Sequence, residues 1–130
     1  MLKLKRLDHV GVVVGDLDSR AALLTEQFGL APDGGADLDE LRIAFFKAGD
    51  ARVELIEPLT SDGREARLAG GETRIEHISF EVDDLEETLL ALTALGIEIT
   101  APPRISAGNR SVWTVPATSG GIMFQFQQRV

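Results

Sequence analysis

The chain reads as an α+β domain built from one module used twice, and three observations predict it. First, Asp8-His9-Val10-Gly11-Val12-Val13-Val14-Gly15-Asp16-Leu17-Asp18 has a counterpart 68 residues on, Glu76-His77-Ile78-Ser79-Phe80-Glu81-Val82-Asp83-Asp84-Leu85-Glu86. An acid, a histidine, a hydrophobic run and an Asp-Leu-acid end coincide, and these are the only two histidines in the chain. Self-similarity of this size marks a structural unit repeated, not a chance motif. Second, each copy passes from the period-two alternation of a strand to the three-to-four spacing of a helix. Third, 130 residues make about one domain with room for a real core. The expected organisation is therefore a single domain over 1–130. Module 1 spans about 1–58, a connector 59–73, and module 2 about 74–130.

In the first module, Leu7 to Val14 is a strand rich in β-branched residues, with Leu7, His9, Gly11 and Val13 on one face and Val10, Val12 and Val14 on the other. Gly15-Asp16-Leu17-Asp18 starts a helix, with Asp16 or Asp18 as its cap. Ala21, Leu24 and Phe28 recur at helical spacing, and Gly29 sits where a C-terminal cap belongs. Pro32 to Asp39 is a loop or a weak edge strand. Leu41 to Lys47 and Ala51 to Glu57 form a hairpin through Ala48-Gly49-Asp50, and Pro58 ends the module. Thr60 to Gly71 is a connector with about one helical turn. The second module repeats the program: a strand at Ile75 to Val82, an acidic cap at Asp83-Asp84-Leu85-Glu86, and a helix with Leu85, Leu89 and Leu92 as its buried stripe, ended by Gly96. A short strand at Ile97 to Thr100 precedes Pro102-Pro103, which forces an extended turn. A loop over 104–108, a strand at Arg110 to Val115 and a last strand at Ile122 to Gln128 complete it.

Composition narrows the function. A net charge of −8 argues against a nucleic-acid partner, which would need clustered Lys and Arg. No run approaches the ~20 apolar residues of a membrane span, and no signal-peptide core follows the N-terminus, so a cytoplasmic location with no membrane partner is expected. With no cysteine, thiol nucleophiles and thiolate metal sites are excluded.

The polar strand residues then carry the functional argument. His77, Ser79 and Glu81 alternate against Ile78, Phe80 and Val82. Glu54 alternates against Val53 and Leu55, and Gln125 against Phe124 and Phe126. Four strands, two per module, thus offer His9, Glu54, His77 and Gln125 away from the helix-packing side, with Glu57, Glu81 and Gln127 as nearby competitors of the same types. If the sheets curl toward each other, these four side chains converge in one cleft. Two imidazoles, a carboxylate and an amide oxygen suit a divalent ion such as Co²⁺, Ni²⁺, Mn²⁺, Fe²⁺ or Zn²⁺. Arg104, Asn109 and Arg110, on the loop before a cleft strand, are candidates to orient a substrate carboxylate or thioester.

At these residues the chain resembles the vicinal oxygen chelate superfamily, which includes glyoxalase I, extradiol dioxygenases, bleomycin-resistance proteins and methylmalonyl-CoA epimerase. Leu7-Asp8-His9-Val10-Gly11-Val12-Val13-Val14 is similar to its first strand. Val53-Glu54-Leu55-Ile56-Glu57-Pro58, Glu76-His77-Ile78-Ser79-Phe80-Glu81-Val82-Asp83-Asp84, Pro103-Arg104-Ile105-Ser106-Ala107-Gly108 and Gly120-Gly121-Ile122-Met123-Phe124-Gln125 most resemble the epimerase type. The resemblance implies two tandem βαβββ modules forming a U-shaped, partly open sheet around a metal cleft, commonly in a homodimer. It implies His9, Glu54, His77 and Gln125 as metal ligands and a small-molecule, acyl-CoA substrate. Three departures stand out. Glu54 takes a position where the epimerases typically have Gln, and Gln125 one where they have Glu. The place of a second epimerase acid falls near Ile43, and that acid is absent here. The family's His-Pro-Lys before the last strand reads Val115-Pro116-Ala117 here.

The expected chemistry is proton transfer at a carbon beside a carbonyl, with a metal stabilising the enolate and Glu54 as the base. An amide at position 125 cannot take a proton at neutral pH. The resemblance leaves two alternatives to an isomerase or epimerase: a lyase or dioxygenase of the same superfamily, or a metal-free binding protein. A pure binding cleft would be apolar and aromatic rather than lined by this polar quartet.

Overall fold

The computed structural model describes residues 1–130 and holds eight strands and three α-helices. The strands are β1 (Arg6–Val14), β2 (Ala31–Asp37), β3 (Leu41–Ala48), β4 (Ala51–Pro58), β5 (Thr73–Glu81), β6 (Arg104–Ser106), β7 (Asn109–Trp113) and β8 (Met123–Arg129). The helices are α1 (Leu17–Ala22), α2 (Ser61–Leu68) and α3 (Leu85–Ala94). The class is α+β, and no helix is long and apolar enough to cross a membrane. Two compact units are formed, one by His9–Glu76 and the other by Met1–Asp8 with His77–Val130.

In the unit His9–Glu76 the strands run β2-β3-β4-β1. β3 and β4 make the foreseen hairpin, turning at Gly49, whose φ of 63° suits a glycine, and β4 then lies parallel to β1. Val12 and Val14 of β1 join Leu17, Leu24, Phe46, Val53 and Leu55 in one core. α1 begins where Asp16 accepts from the Ser19 amide at 3.3 Å. It passes into a π turn at Leu23–Gln27 and ends before Gly29, at φ 73°. The π turn revises the expected stripe. One extra residue in a turn shifts later positions by about 100° around the axis, and Phe28 is left 63% exposed rather than packed against the core with the partly buried Ala21 and Leu24.

In the other unit the order is β5-β8-β7-β6, with β5 and β8 parallel and the remaining pairs antiparallel. Val82, Leu85, Leu92, Val112 and Phe126 form its core, with Phe80, Leu89 and Phe124 packed against them. Asp84 caps α3, accepting from the Glu87 amide at 3.1 Å.

Several local expectations change. Pro32 to Asp39 resolves as the edge-strand alternative, since β2 pairs only with β3, and its fully exposed register slips between Pro32 and Gly35. An edge position with a bulge tolerates those residues. The connector forms an eight-residue helix rather than one turn. Thr60 caps α2 by accepting from the Gly63 amide, and only Leu68 is buried, so no apolar period announced it. Ile97 to Thr100 supplies only one bridge, Ile99 to Thr114, because the prolines that follow cannot donate to a ladder. The segment 104–108 is not a loop throughout. β6 turns back into β7 through Ala107 and Gly108, both at positive φ, a tight turn without the usual Asn-Gly signal.

Candidate functional site

In the unit His9–Glu76, parallel pairing sets Arg52 opposite His9 and Glu54 opposite Gly11. Val53 and Leu55 point into the helix-side core, so Glu54 takes the other face, and Gly11 across from it adds no side chain. His9 Nε2 and Glu54 Oε1 stand 3.4 Å apart with both residues buried. Phe45, opposite Glu54 on β3, packs edge-on against the His9 ring at 5.6 Å and 83°, and the Arg52 guanidinium lies 4.0 Å from the Phe45 ring centre. Phe45 therefore braces the imidazole. Its signal was present in the strand alternation, because Phe46 beside it is core.

Three residues on, Glu57 has a different task. Its Oε1 accepts the Leu17 amide at 2.9 Å, tying β4 to the start of α1. In the same unit Arg67 grips Glu76 with two hydrogen bonds, Nε at 2.9 Å and Nη2 at 2.8 Å. Those bonds raise the Arg67 pKa while partial burial lowers it, and the negative charges of Glu76 and Glu54 raise it further. Arg67 is a fixed cation whose charge Glu54 also feels.

In the other unit, the β5 and β8 register sets Met123 opposite His77 and Gln125 opposite Ser79. His77 and Gln125 are both buried, and Gln125 Nε2 donates to Ser111 Oγ at 3.3 Å. Ser79 Oγ is buried with no hydrogen-bond partner in the protein. Glu81, one of the competing acids, is committed elsewhere. Arg6 Nε donates to its Oε2 at 2.7 Å, and Arg129 Nε lies 3.3 Å from Oε1.

The two units repeat one construction. A histidine lies on the first strand, and a buried acid or amide stands opposite the residue two places after it on the parallel neighbour. Three residues beyond that, a side-chain oxygen caps the helix. Glu57 accepts the Leu17 amide in one unit, and Gln128 accepts the Leu85 amide at 2.7 Å in the other. At both positions the first module uses Glu and the second Gln.

His9, Glu54 and His77 are buried residues with metal-ligating atoms, and Gln125 adds an amide oxygen. The donors fit a divalent ion. With bonds of about 2.0–2.2 Å, neighbouring ligand atoms lie about 3–3.5 Å apart, which matches the His9–Glu54 separation.

The expected substrate residues separate. Arg104 pairs in register with Ser111 and reaches over the Trp113 ring at 5.4 Å. Asn109 alternates onto the Ser111 side, its Nδ2 near the Ala107 carbonyl at 3.4 Å. Arg110 shares its side with Val112, which is core, and pairs with Glu86 in the first turn of α3. It lies on the helix face, away from Ser111 and Gln125.

Residues 8–114 match the model of the Glyoxalase/Bleomycin resistance protein/Dioxygenase superfamily. The chain belongs to this superfamily. Among its relatives, an uncharacterized protein of Bacillus subtilis, YqjC, is 31% identical over 94% of this chain and 91% of its own length. The mitochondrial methylmalonyl-CoA epimerase of Mus musculus is 27% identical over 97% of this chain and 74% of its own. The crystal structure of methylmalonyl-CoA epimerase from Mycobacterium tuberculosis superposes with a TM-score of 0.87, at 23% identity, over all of this chain and 93% of its own, a likeness of fold.

Proposed function

We propose that this superfamily member is a metal-dependent isomerase or epimerase of a small acyl-CoA. In this reading His9, Glu54, His77 and Gln125 together hold one divalent ion, and Glu54 is the base. The observation that carries the reading is the repeated construction, a buried histidine with a buried oxygen donor in fixed register on the parallel strand beside it. The epimerase relatives supply the substrate class. When bound, the ion would draw electron density from the substrate oxygens and so acidify the adjacent C–H.

Glu54 takes the proton from that carbon; an isomerisation returns it to the neighbouring atom, and in an epimerisation water delivers a proton to the opposite face. Its neighbours support this: Phe45 fixes His9 beside it, and the Arg67 cation is within electrostatic reach of it. Gln125 binds through its oxygen and moves no proton. Glu57 and Glu81 are held by the Leu17 amide and by Arg6 and Arg129, so neither supplies a second acid. Arg104 and Asn109 orient the acyl group.

The test pairs elemental analysis with proton exchange. Protein purified without an affinity-tag metal should carry about one divalent ion per chain, and His9→Ala/His77→Ala should lose it while staying folded. Methylmalonyl-CoA in D2O should then exchange its α-proton with the wild type and not with Glu54→Gln. Full metal occupancy in the double variant would sink the site, and exchange undiminished in Glu54→Gln would remove Glu54 as base.

A further inference from the structure

An amide is an asymmetric ligand, since only its oxygen has a lone pair to give a metal, and Gln125 must therefore be held the right way round. We propose that Ser111 is the residue that orients it, an inference that rests on the reading of Gln125 as a ligand. Ser111 Oγ takes the Nε2 hydrogen at 3.3 Å, which turns the nitrogen toward β7 and leaves Oε1 as the free end. Both residues are only 6% exposed, so water competes little for that hydrogen. Ser111 stands opposite Gln127 and Trp113 opposite Gln125, which makes the contact a diagonal one across β7 and β8.

The duplicated frame provides an internal control. The same 68-residue offset that links His9 to His77 carries Ile43 to Ser111 and Phe45 to Trp113. Phe45 lies opposite Glu54 just as Trp113 lies opposite Gln125, so Ile43 occupies in the first unit the place of Ser111 in the second. A carboxylate presents equivalent oxygens and needs no orienting partner, and there the place is taken by an apolar side chain. Where the ligand is an amide, a hydroxyl stands instead. A Ser111 hydroxyl serving only sheet packing would have no reason to track the ligand type.

Ser111 is thus a positioning residue, acting on the metal through Gln125. Partners of this kind change metal affinity by about 10–100-fold when removed, and an amide ligand places Ser111→Ala at the lower end, about tenfold weaker. The experiment titrates the metal-free full chain with Co²⁺ by calorimetry and visible absorption, for wild type, Ser111→Ala, Ser111→Thr, Gln125→Ala and Ser111→Ala/Gln125→Ala. The expected result is a weakened Ser111→Ala, a Ser111→Thr close to wild type, and a Ser111→Ala spectrum shifted toward that of Gln125→Ala. Adding Ser111→Ala to Gln125→Ala should change nothing further. Wild-type affinity in Ser111→Ala, or an equal loss with and without Gln125, overturns the inference while leaving the metal site standing. A wild type that takes up no Co²⁺ overturns the proposed function itself, and this inference with it.

Discussion

Glu54 and Glu57 lie three residues apart on β4 and so on opposite faces of the strand, and the proposed function gives them different duties, so separating them is the sharpest test. The perturbation is Glu57→Ala. It deletes the oxygen that accepts the Leu17 amide at 2.9 Å, beneath a buried Leu17. A hydrogen bond to a charged acceptor contributes about 1.5–3 kcal/mol. Asp16 still accepts from the Ser19 amide, so the helix start is weakened rather than lost. For a domain of this size each kcal/mol moves the melting temperature by about 3–5 °C, which gives a fall of about 5–15 °C. Glu57→Gln should recover most of it, because Gln128 performs the same cap on Leu85 with a neutral amide at 2.7 Å. Thermal unfolding by circular dichroism reads the stability, and Co²⁺ titration reads the site. Glu57→Ala should melt early yet bind metal normally once folded. Glu54→Ala should lose the metal instead. An unchanged melting temperature in Glu57→Ala, or metal lost from it at a temperature where it is folded, would refute the division of labour.

Two further outcomes follow from the same geometry. Arg67→Met strands the buried Glu76 carboxylate. It should cost about 3–5 kcal/mol, toward the low end because Arg74 also reaches Glu76 at 3.7 Å, and urea unfolding measures it. Ser79→Ala removes the buried hydroxyl that no protein group satisfies, so it should be neutral or stabilise by up to about 1–3 kcal/mol. A lower melting temperature in that variant would show that the hydroxyl is bonded after all.

Much of this was legible in the sequence, for definite reasons. The repeat placed His9 and His77, and period-two alternation put Glu54 and Gln125 on the face away from Val53, Leu55 and Phe126, because a pleated strand leaves no other choice. Asp16 and Asp84 were legible as caps because a short acceptor before a helix meets its free amides. Helix α2, with its one buried leucine, had no apolar period to read, and the π turn that exposes Phe28 leaves no composition signal.

What the sequence determined by itself is the α+β class, the duplicated frame and the strand faces of the candidate ligands, since these depend on periodicities local to each segment. Only the tertiary structure decided which of several like residues was spoken for. Glu57 caps α1, Glu81 is claimed by Arg6 and Arg129, Arg110 turns to Glu86, and Ser111 holds the Gln125 amide. Those assignments depend on pairing register and on partners 14 to 75 residues away along the chain, which no local pattern encodes.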